Sequence, residues 1–469
     1  MNKSKKVKDL SINTFLFTVS NFGTKIISFL LVPLYTYVLS TKEYGNLDLV
    51  STTVQLLVPI LTLNIQDAVL RFSFDKKYEP LQAAKVGLKI ACFGSALLGI
   101  GLVIVYNMPF FHLNMMYSVY LYMLFIVNIF NNIIYMYLKA VNRIKLIVIC
   151  GILNTLITCL LNIVLLLWIK LGLAGYLIAN ISGALTAIVI MIAFSDISKT
   201  LTVPIPKEML KAMCLYSMPL IANSIAWWLN NTSDRYILVF FCGAAVNGIY
   251  AVSYKIPTIL STIQNIFYNA WSISAITEFD KDDSDGFIGN VYMTYSCVSL
   301  LVCSVLMICN IFIARFLYSN DFFSAWQYVP PLLVGNVFNG IALFEGCIFV
   351  AVKQTKSVSV TTLLGAVVNT VCNFVLIPFI GALGASIATM IGYIAIWIIR
   401  TIQIRKIIKM KADWKSQIFS FLVLLLQCTV ALSFHKFYWQ LPFMFLLLVS
   451  QRKYLLKVLQ TVKNKLNKR

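Results

Sequence analysis

Apolar segments long enough to span a membrane recur along the whole chain and are separated by short polar connectors. A transmembrane helix needs about 20 consecutive apolar residues to cross the hydrocarbon core of a bilayer. Inside that core the backbone has to satisfy its own hydrogen bonds, which favours an α-helix for each segment. The pattern therefore predicts an all-α integral membrane protein and excludes a water-soluble globular domain.

We predict about fourteen transmembrane helices from the lengths of these segments. A connector that contains Asp234, Arg235 and Gly243 interrupts the seventh and eighth segments, and 236–247 is interpreted as a re-entrant piece or a helix extension. The predicted spans are 12–38, 45–70, 86–107, 115–139, 146–168, 173–195, 212–234, 236–247 running into 248–275, 289–314, 328–350, 357–378, 383–405, 417–433 and 437–450.

The formal net charge of +21 has to be explained before a function is considered. A soluble protein this basic often binds nucleic acid, but here most of the 38 Lys and Arg residues lie in alternate connectors between apolar segments. Cytoplasmic loops of membrane proteins carry such an excess of basic residues. The charge therefore predicts a cytoplasmic location for both termini and no nucleic-acid partner.

Metal and cofactor patterns are weak in this sequence. The 11 cysteines form no CxxC pair, so neither a zinc site nor a disulfide framework is indicated. The segment Asp283-x-Asp285-Gly286 resembles part of a calcium-binding loop, but that register places Lys281 and Tyr292 where acidic ligands are needed. We expect no metal and no cofactor, and we interpret this segment as a solvated cytoplasmic loop.

An internal repeat divides the chain. The segment that begins Asn128-Ile-Phe-Asn recurs as Asn336-Val-Phe-Asn, about 210 residues later. Glycines recur at a similar offset, Gly175 and Gly183 matching Gly384 and Gly392. We predict two six-helix lobes related by a parallel repeat, 1–205 and 206–411, followed by two C-terminal helices and a basic amphipathic tail in 412–469. The asparagines are expected to join helices by hydrogen bonds, and the glycines to allow close packing.

Short motifs in both lobes are similar to those of a known family. They are Asp234-Arg235, Gly243, Gly248-Ile-Tyr250 and Ser253-Tyr254-Lys255, with Pro33-Leu34-Tyr35, Glu43-Tyr44-Gly45 and Arg71-Phe72. Over residues of about 10–410 the chain resembles the Wzx-type oligosaccharide and polysaccharide flippases of the polysaccharide transporter family, in the MOP superfamily. This resemblance implies alternating-access flipping of a polyprenyl-diphosphate oligosaccharide across the cytoplasmic membrane, for surface polysaccharide biosynthesis.

Two lysines inside predicted spans are the candidate substrate-binding residues. A charge near the bilayer centre is costly and generally faces a cavity or a partner. Lys25 lies midway along span 12–38, too deep for its ammonium to reach the headgroups, and Lys255 lies in the eighth span. The resemblance implies that both bind the diphosphate of the lipid carrier, for which lysine supplies a strong point charge. The alternative is a lysine paired within its own lobe.

Five other charged residues are candidates for a gate or for ion coupling. Asp67 and Arg71 are four residues apart on one helix, a spacing that favours an ordinary ion pair. Asp234 and Arg235 lie at the predicted outer end of the seventh span, as a gate contact or a solvated helix end. Glu345 either carries a coupling proton or sodium ion or extends its carboxylate to the membrane surface.

Two other functions share these features. A multidrug exporter has the same architecture, but its cavity should favour carboxylates over lysines. A membrane-embedded polysaccharide polymerase or glycosyltransferase would carry a sizeable catalytic loop outside the membrane, and the connectors here are short. We therefore expect a transporter and not an enzyme. Its partners would be the lipid-linked oligosaccharide and, through the basic tail 451–469, membrane lipids.

Overall fold

A computed structural model of the chain describes residues 23–75, 77–108, 114–434, 436–457 and 460. Within these ranges the regular elements are helices. In chain order they are α1 (Gly23–Val38), α2 (Thr41–Leu61), α3 (Ile65–Ser73), α4 (Pro80–Tyr106), α5 (Met115–Ala140), α6 (Ile144–Trp168), α7 (Gly172–Ala193), α8 (Lys207–Cys242), α9 (Ala244–Ser253), α10 (Pro257–Thr277), α11 (Phe287–Leu317), α12 (Val329–Ala351), α13 (Thr355–Ile404), α14 (Trp414–Ser433) and α15 (Phe437–Ser450).

Most of the predicted spans correspond to these helices. Nine of the described helices are long and apolar enough to cross a membrane, and the bent pair of α2 and α3 adds a tenth. The 50-residue α13 is broken at Ile380 and Gly381, where Gly381 has a φ of 56°, and it therefore contains the predicted spans 357–378 and 383–405. Helices α1, α9 and α15 are shorter apolar helices at predicted positions, although residues 12–22 of the first span lie outside the described part.

The second span differs from its prediction as one continuous helix over 45–70. Helices α2 and α3 are bent by 56° at a short break. Leu63 and Asn64 both adopt positive φ values there, 54° and 52°, and Pro59 precedes the break inside α2. Proline cannot donate a helical hydrogen bond, and left-handed residues end a right-handed helix, so this sequence favours a broken span.

The connector predicted around Asp234 and Arg235 is wrong. Helix α8 continues through both residues to Cys242, and the chain breaks at Gly243, whose φ of 84° favours glycine. A second break follows at 254–256, where Pro257 begins α10. Proline is well placed at the first position of a helix because it lacks an N–H that would otherwise be unpaired there.

The chain divides into two compact units, Met1–Trp228 and Leu229–Arg469. In the first unit, Phe125, Ile129 and Ile133 of α5 are fully buried or nearly so, and they pack with Val69 of α3 and Ala84 of α4. In the second unit α12 is buried along most of its length, so it is the central helix of that unit.

The repeated glycines have the predicted role of allowing helices to pack closely. A Cβ atom added at Gly183 would lie 2.9 Å from Asn154 Oδ1, and one at Gly392 would lie 2.9 Å from Asn369 Cβ. Each glycine thus sits where two consecutive helical segments of its own unit approach closely. The predicted close packing is confirmed at both positions.

The repeated asparagines, in contrast, have different contacts. Asn336 Nδ2 donates to Pro257 O at 3.1 Å and so joins α12 to α10, as predicted. Asn128 Nδ2 donates to Leu124 O of its own helix at 2.8 Å. The prediction of a bond between helices is confirmed for Asn336 and wrong for Asn128, whose side chain lines a cavity in the first unit.

The acidic loop before α11 is not simply solvated. The carboxylate of Asp283 is fully buried and accepts hydrogen bonds from the backbone N–H groups of Ile288 and Gly289, both at 3.0 Å, and of Lys411, at 2.9 Å. The aspartate of the calcium-like motif therefore attaches the segment after α13 to the start of α11. Its oxygen atoms are occupied by protein donors.

Candidate functional site

Lys25 lies on the polar side of α1. Its side chain is exposed, as is that of Ser28 one turn later, whereas Ile26 and Leu30 form a separate exposed apolar stripe. Side chains three or four positions apart share one face of a helix. The apolar stripe suits contact with lipid, and Lys25 points in another direction. Its predicted depth in the membrane depends on residues 12–22, which lie outside the described part, and stays a prediction.

Lys255 does not lie inside a continuous helix, although the eighth span was predicted to contain it. It is half-buried in the turn between α9 and α10. Its backbone N–H donates to Val252 O at 2.9 Å, and its carbonyl accepts from Thr258 Oγ1 at 2.6 Å. Non-helical backbone at membrane depth is tolerated where it is buried in protein or lines a cavity. The turn thus places the charged side chain of Lys255 at a break in the span.

Asp67 and Arg71 do not form the predicted ion pair. The Asp67 carboxylate accepts a hydrogen bond from Asn64 Nδ2 at 2.6 Å, and Arg71 is exposed. Ion pairs within 4.0 Å among the described residues do not include these two side chains. The left-handed conformation of Asn64 at the break places its amide against Asp67 and explains the difference. The i, i+4 rule on its own does not account for such a competing donor.

Asp234 is buried and is the acceptor of a tyrosine cluster. Only 3% of the residue is exposed, so the prediction of a solvated helix end is wrong. Its Oδ2 accepts from the hydroxyls of Tyr250 at 2.6 Å and Tyr254 at 3.1 Å, and its Oδ1 accepts from the Arg235 N–H at 2.9 Å. The Arg235 guanidinium lies 5.2 Å from the centre of the Tyr254 ring, a cation–π distance. The cluster fastens α9 and the following turn to α8.

Glu345 is fully buried in α12, which excludes a carboxylate extended to the membrane surface. Its Oε1 accepts from Thr401 Oγ1 at 2.7 Å, and its Oε2 has no hydrogen-bond partner among the residues that the structure describes. A buried carboxylate oxygen without a donor is costly, and it is a natural place for a proton or a small cation. Binding of a coupling proton or sodium ion is therefore the prediction that remains for Glu345.

Arg400 is a buried charged residue that the sequence analysis did not single out, although it lies within the predicted span 383–405. It is 3% exposed, near the end of α13. Its guanidinium donates to Thr361 Oγ1 and Thr362 Oγ1, both at 2.9 Å, to Ala342 O at 2.5 Å and to Val358 O at 3.2 Å. It joins α12 to both halves of α13. A lone Arg within the apolar run at 394–404 was the available signal.

Solved structures with the same fold are membrane transporters. The lipid II flippase MurJ, in an inward closed conformation, is 12% identical over 96% of this chain and 99% of that chain, with a TM-score of 0.66. An inward-facing multidrug resistance MATE family transporter of the MOP superfamily is 13% identical over 81% of this chain and 94% of that one, with a TM-score of 0.62. No curated protein matches the chain.

The chain therefore shares the fold of these transporters, an all-α integral membrane architecture with about 14 transmembrane helices, and the predicted fold class is confirmed. The family model described as polysaccharide biosynthesis protein matches residues 10–273, more than half of the chain. The chain belongs to this polysaccharide biosynthesis protein family, as the resemblance of its motifs implied.

Proposed function

We propose that the chain flips a polyprenyl-diphosphate oligosaccharide repeat unit from the cytoplasmic to the outer leaflet by alternating access. The observation that carries this proposal is the match to polysaccharide biosynthesis proteins in a chain that has a transporter fold. A polysaccharide family member of this fold would supply the step that brings an assembled glycan across the membrane. The fold itself does not define a substrate, because unrelated cargoes share it.

Lys25 and Lys255 are proposed to bind the diphosphate. The substrate carries a charged group that cannot cross hydrocarbon unaided, so fixed cations are needed to replace part of its hydration. The exposed position of Lys25 beside Ser28, away from the apolar stripe of α1, supports this role. Lys255 is supported by its location in a break between two helices, where transporters commonly place ligand-binding groups.

The other charged candidates are proposed to act in gating and coupling. The tyrosine cluster around Asp234 joins α8 to α9 across Gly243, which we take as a hinge. Protonation of Asp234, or sodium binding to it, would change how strongly the two helices are joined there. Glu345 offers a second buried carboxylate for a coupling proton or sodium ion. Asp67 and Arg71 both lie on α3, just after its break from α2, and Arg235 stacks on the Tyr254 ring of the cluster. We further propose lobes 1–205 and 206–411 as the moving parts, with 412–469 as an accessory segment.

The proposed location is the cytoplasmic membrane, with both termini in the cytoplasm. Reporter fusions after Lys145, Lys211 and Lys415 should read cytoplasmic because basic connectors are retained on that side. A fusion after His112, which lies outside the described residues, should read external. A cytoplasmic signal from the His112 fusion would contradict the orientation without affecting the fold.

The test of the proposed function is complementation of a host that lacks its own oligosaccharide flippase. Expression of the chain should restore surface polysaccharide and should clear lipid-linked repeat units that accumulate inside. Membrane abundance is measured in parallel, so that a silent result is not confused with poor expression. If the chain is present at normal abundance and confers drug resistance but restores no surface glycan, its function is that of a multidrug exporter and the proposal is wrong.

A further inference from the structure

A polar cavity of about 380 Å³ lies within the first compact unit. Helices α2, α3, α5 and α8 and the break before α3 line it. Five of the lining side chains are amides, namely Gln55, Asn64, Gln66, Asn128 and Asn132. Carboxamides are uncommon at this density among apolar transmembrane helices, where each polar group carries a cost unless it is hydrogen-bonded. The cavity therefore differs from ordinary helix packing.

Several of these side chains have hydrogen-bonding capacity that the protein does not use. Gln55, Gln66 and Asn132 make no side-chain hydrogen bond within the described part of the chain, and neither does Ser224 on α8. The amide of Asn128 donates to its own helix, which leaves its oxygen as an acceptor. A carboxamide offers two donors and an acceptor. The cavity thus presents both kinds of group to a ligand.

The backbone beside the cavity is irregular as well. Pro59 lines it, and this residue cannot donate to the carbonyl of Gln55 one turn earlier. The break that follows, with Asn64 in a left-handed conformation, also borders the cavity. Broken helices within a membrane protein occur where backbone groups face a polar cavity, and in transporters they commonly mark binding sites. The irregular backbone, which includes Pro59 and the break, is a second observation beside the amide side chains.

Helix α8 also contacts α2 beside the cavity. Trp228 Nε1 donates to Thr52 O of α2 at 2.8 Å, one turn after Ser224 on the same helix. This bond uses a backbone carbonyl of α2 and leaves the cavity side chains available. The amides of Gln55, Asn128 and Asn132 are presented by the helices α2 and α5, and sites on helices position their groups more precisely than sites on loops.

The lack of charged residues in the lining restricts which ligands the cavity can bind. All of the lining residues are uncharged, so a diphosphate or a cationic drug would find no counter-charge here. A neutral sugar presents several hydroxyl groups that both donate and accept, and its ring has apolar faces that suit Val54, Val58 and Leu124. The volume lies near the lower end of the range for small-molecule sites, about 300–1,000 Å³. It suits part of a glycan and not a whole repeat unit.

We infer that this cavity is a subsite for a neutral sugar residue of the transported glycan, and that its amides select which glycan is carried. This assignment rests on the proposed function, since it names the part of the substrate that the first unit recognises. Gln55 and Asn132 are the specificity residues, because both line the cavity and keep their amides free for a ligand.

The test uses a panel of flippase-deficient hosts that build different surface glycans on the same polyprenyl-diphosphate carrier. The double variant Gln55→Leu with Asn132→Leu should lower export of the glycan that the wild type exports best by on the order of tenfold, since two amide hydrogen bonds are lost. Export of the poorer substrates should fall much less. The conservative variant Asn132→Gln keeps an amide and should retain most of the export.

A matched control is Asn180→Leu. Asn180 is also an amide in the first unit, but it donates to Tyr176 O of its own helix at 2.8 Å and does not line the cavity. Its export profile across the panel should equal that of the wild type. A double variant that exports every glycan at wild-type levels, or that lowers all of them by one factor, would overturn the sugar subsite. Wild-type failure in every host would overturn the proposed function itself, and the subsite with it.

Discussion

Replacing Arg400 with leucine should lower the free energy of unfolding by about 3–5 kcal/mol, the usual cost of breaking a buried charged network from one side. The guanidinium makes four hydrogen bonds, one to Ala342 O of α12 and three to the first half of α13. The fully buried Glu345 lies one turn after Ala342 and accepts from Thr401, the residue next to Arg400. The substitution removes these bonds and leaves the buried carbonyl and hydroxyl acceptors without their donor. We expect a large fall in the melting temperature of the purified protein and in its membrane abundance.

Two further variants serve as comparisons for Arg400→Leu. Arg405→Leu is the matched control, because Arg405 is exposed and only stacks on the Trp414 ring at 4.6 Å, a contact worth about 0.5–1 kcal/mol. Removing both charges, with Arg400→Leu and Glu345→Leu, should recover part of the lost stability. An Arg400→Leu protein that melts at the wild-type temperature would show that the network contributes little.

Replacing Lys25 with alanine should abolish surface glycan export, with protein abundance unchanged. The exposed ammonium of Lys25 is proposed to bind the diphosphate of the substrate. Without this ammonium, the negative charge of the diphosphate would have no partner on its low-dielectric path across the membrane. Lys25→Arg keeps the charge and changes only its geometry, so part of the export should remain. The measurement is glycan export in a flippase-deficient host, normalised to membrane levels.

Lys42→Ala is the control for this prediction. Lys42 is another exposed lysine of the first unit, in the first turn of α2, and is not proposed to bind substrate. Its loss should leave export unchanged. If Lys25→Ala exports glycan normally at normal abundance, Lys25 does not bind the diphosphate, and the substrate argument loses its main chemical support.

Helix positions were predictable from the sequence because hydrophobic length is a direct physical requirement of the bilayer. Breaks inside helices were harder to place. The charged pair at Asp234 and Arg235 suggested a connector, yet two tyrosine hydroxyls bury that carboxylate within the protein, and the chain breaks at Gly243 instead. The break after α2 had its signals in Pro59 and Asn64, which hydropathy alone does not weigh.

Side-chain roles were predictable only where one chemical requirement dominates. The repeated glycines followed the rule that closely packed helices need small residues. The repeated asparagines did not, because Asn336 finds an acceptor on another helix and Asn128 finds one on its own. The role of Arg400 was not predicted, since a sequence does not show that Thr361 and Thr362 would supply acceptors from an earlier segment of the chain.

Translocation in vesicles tests the central claim most directly. Purified chain is reconstituted with a polyprenyl-diphosphate oligosaccharide extracted from a flippase-deficient host, and membrane-impermeant periodate then reports the glycan exposed outside. Wild-type vesicles should expose the initially enclosed glycan much faster than protein-free vesicles, and Lys25→Ala vesicles should resemble the protein-free ones. Wild-type vesicles that protect their enclosed glycan as well as protein-free vesicles do would contradict the assignment of the chain as a lipid-linked oligosaccharide flippase.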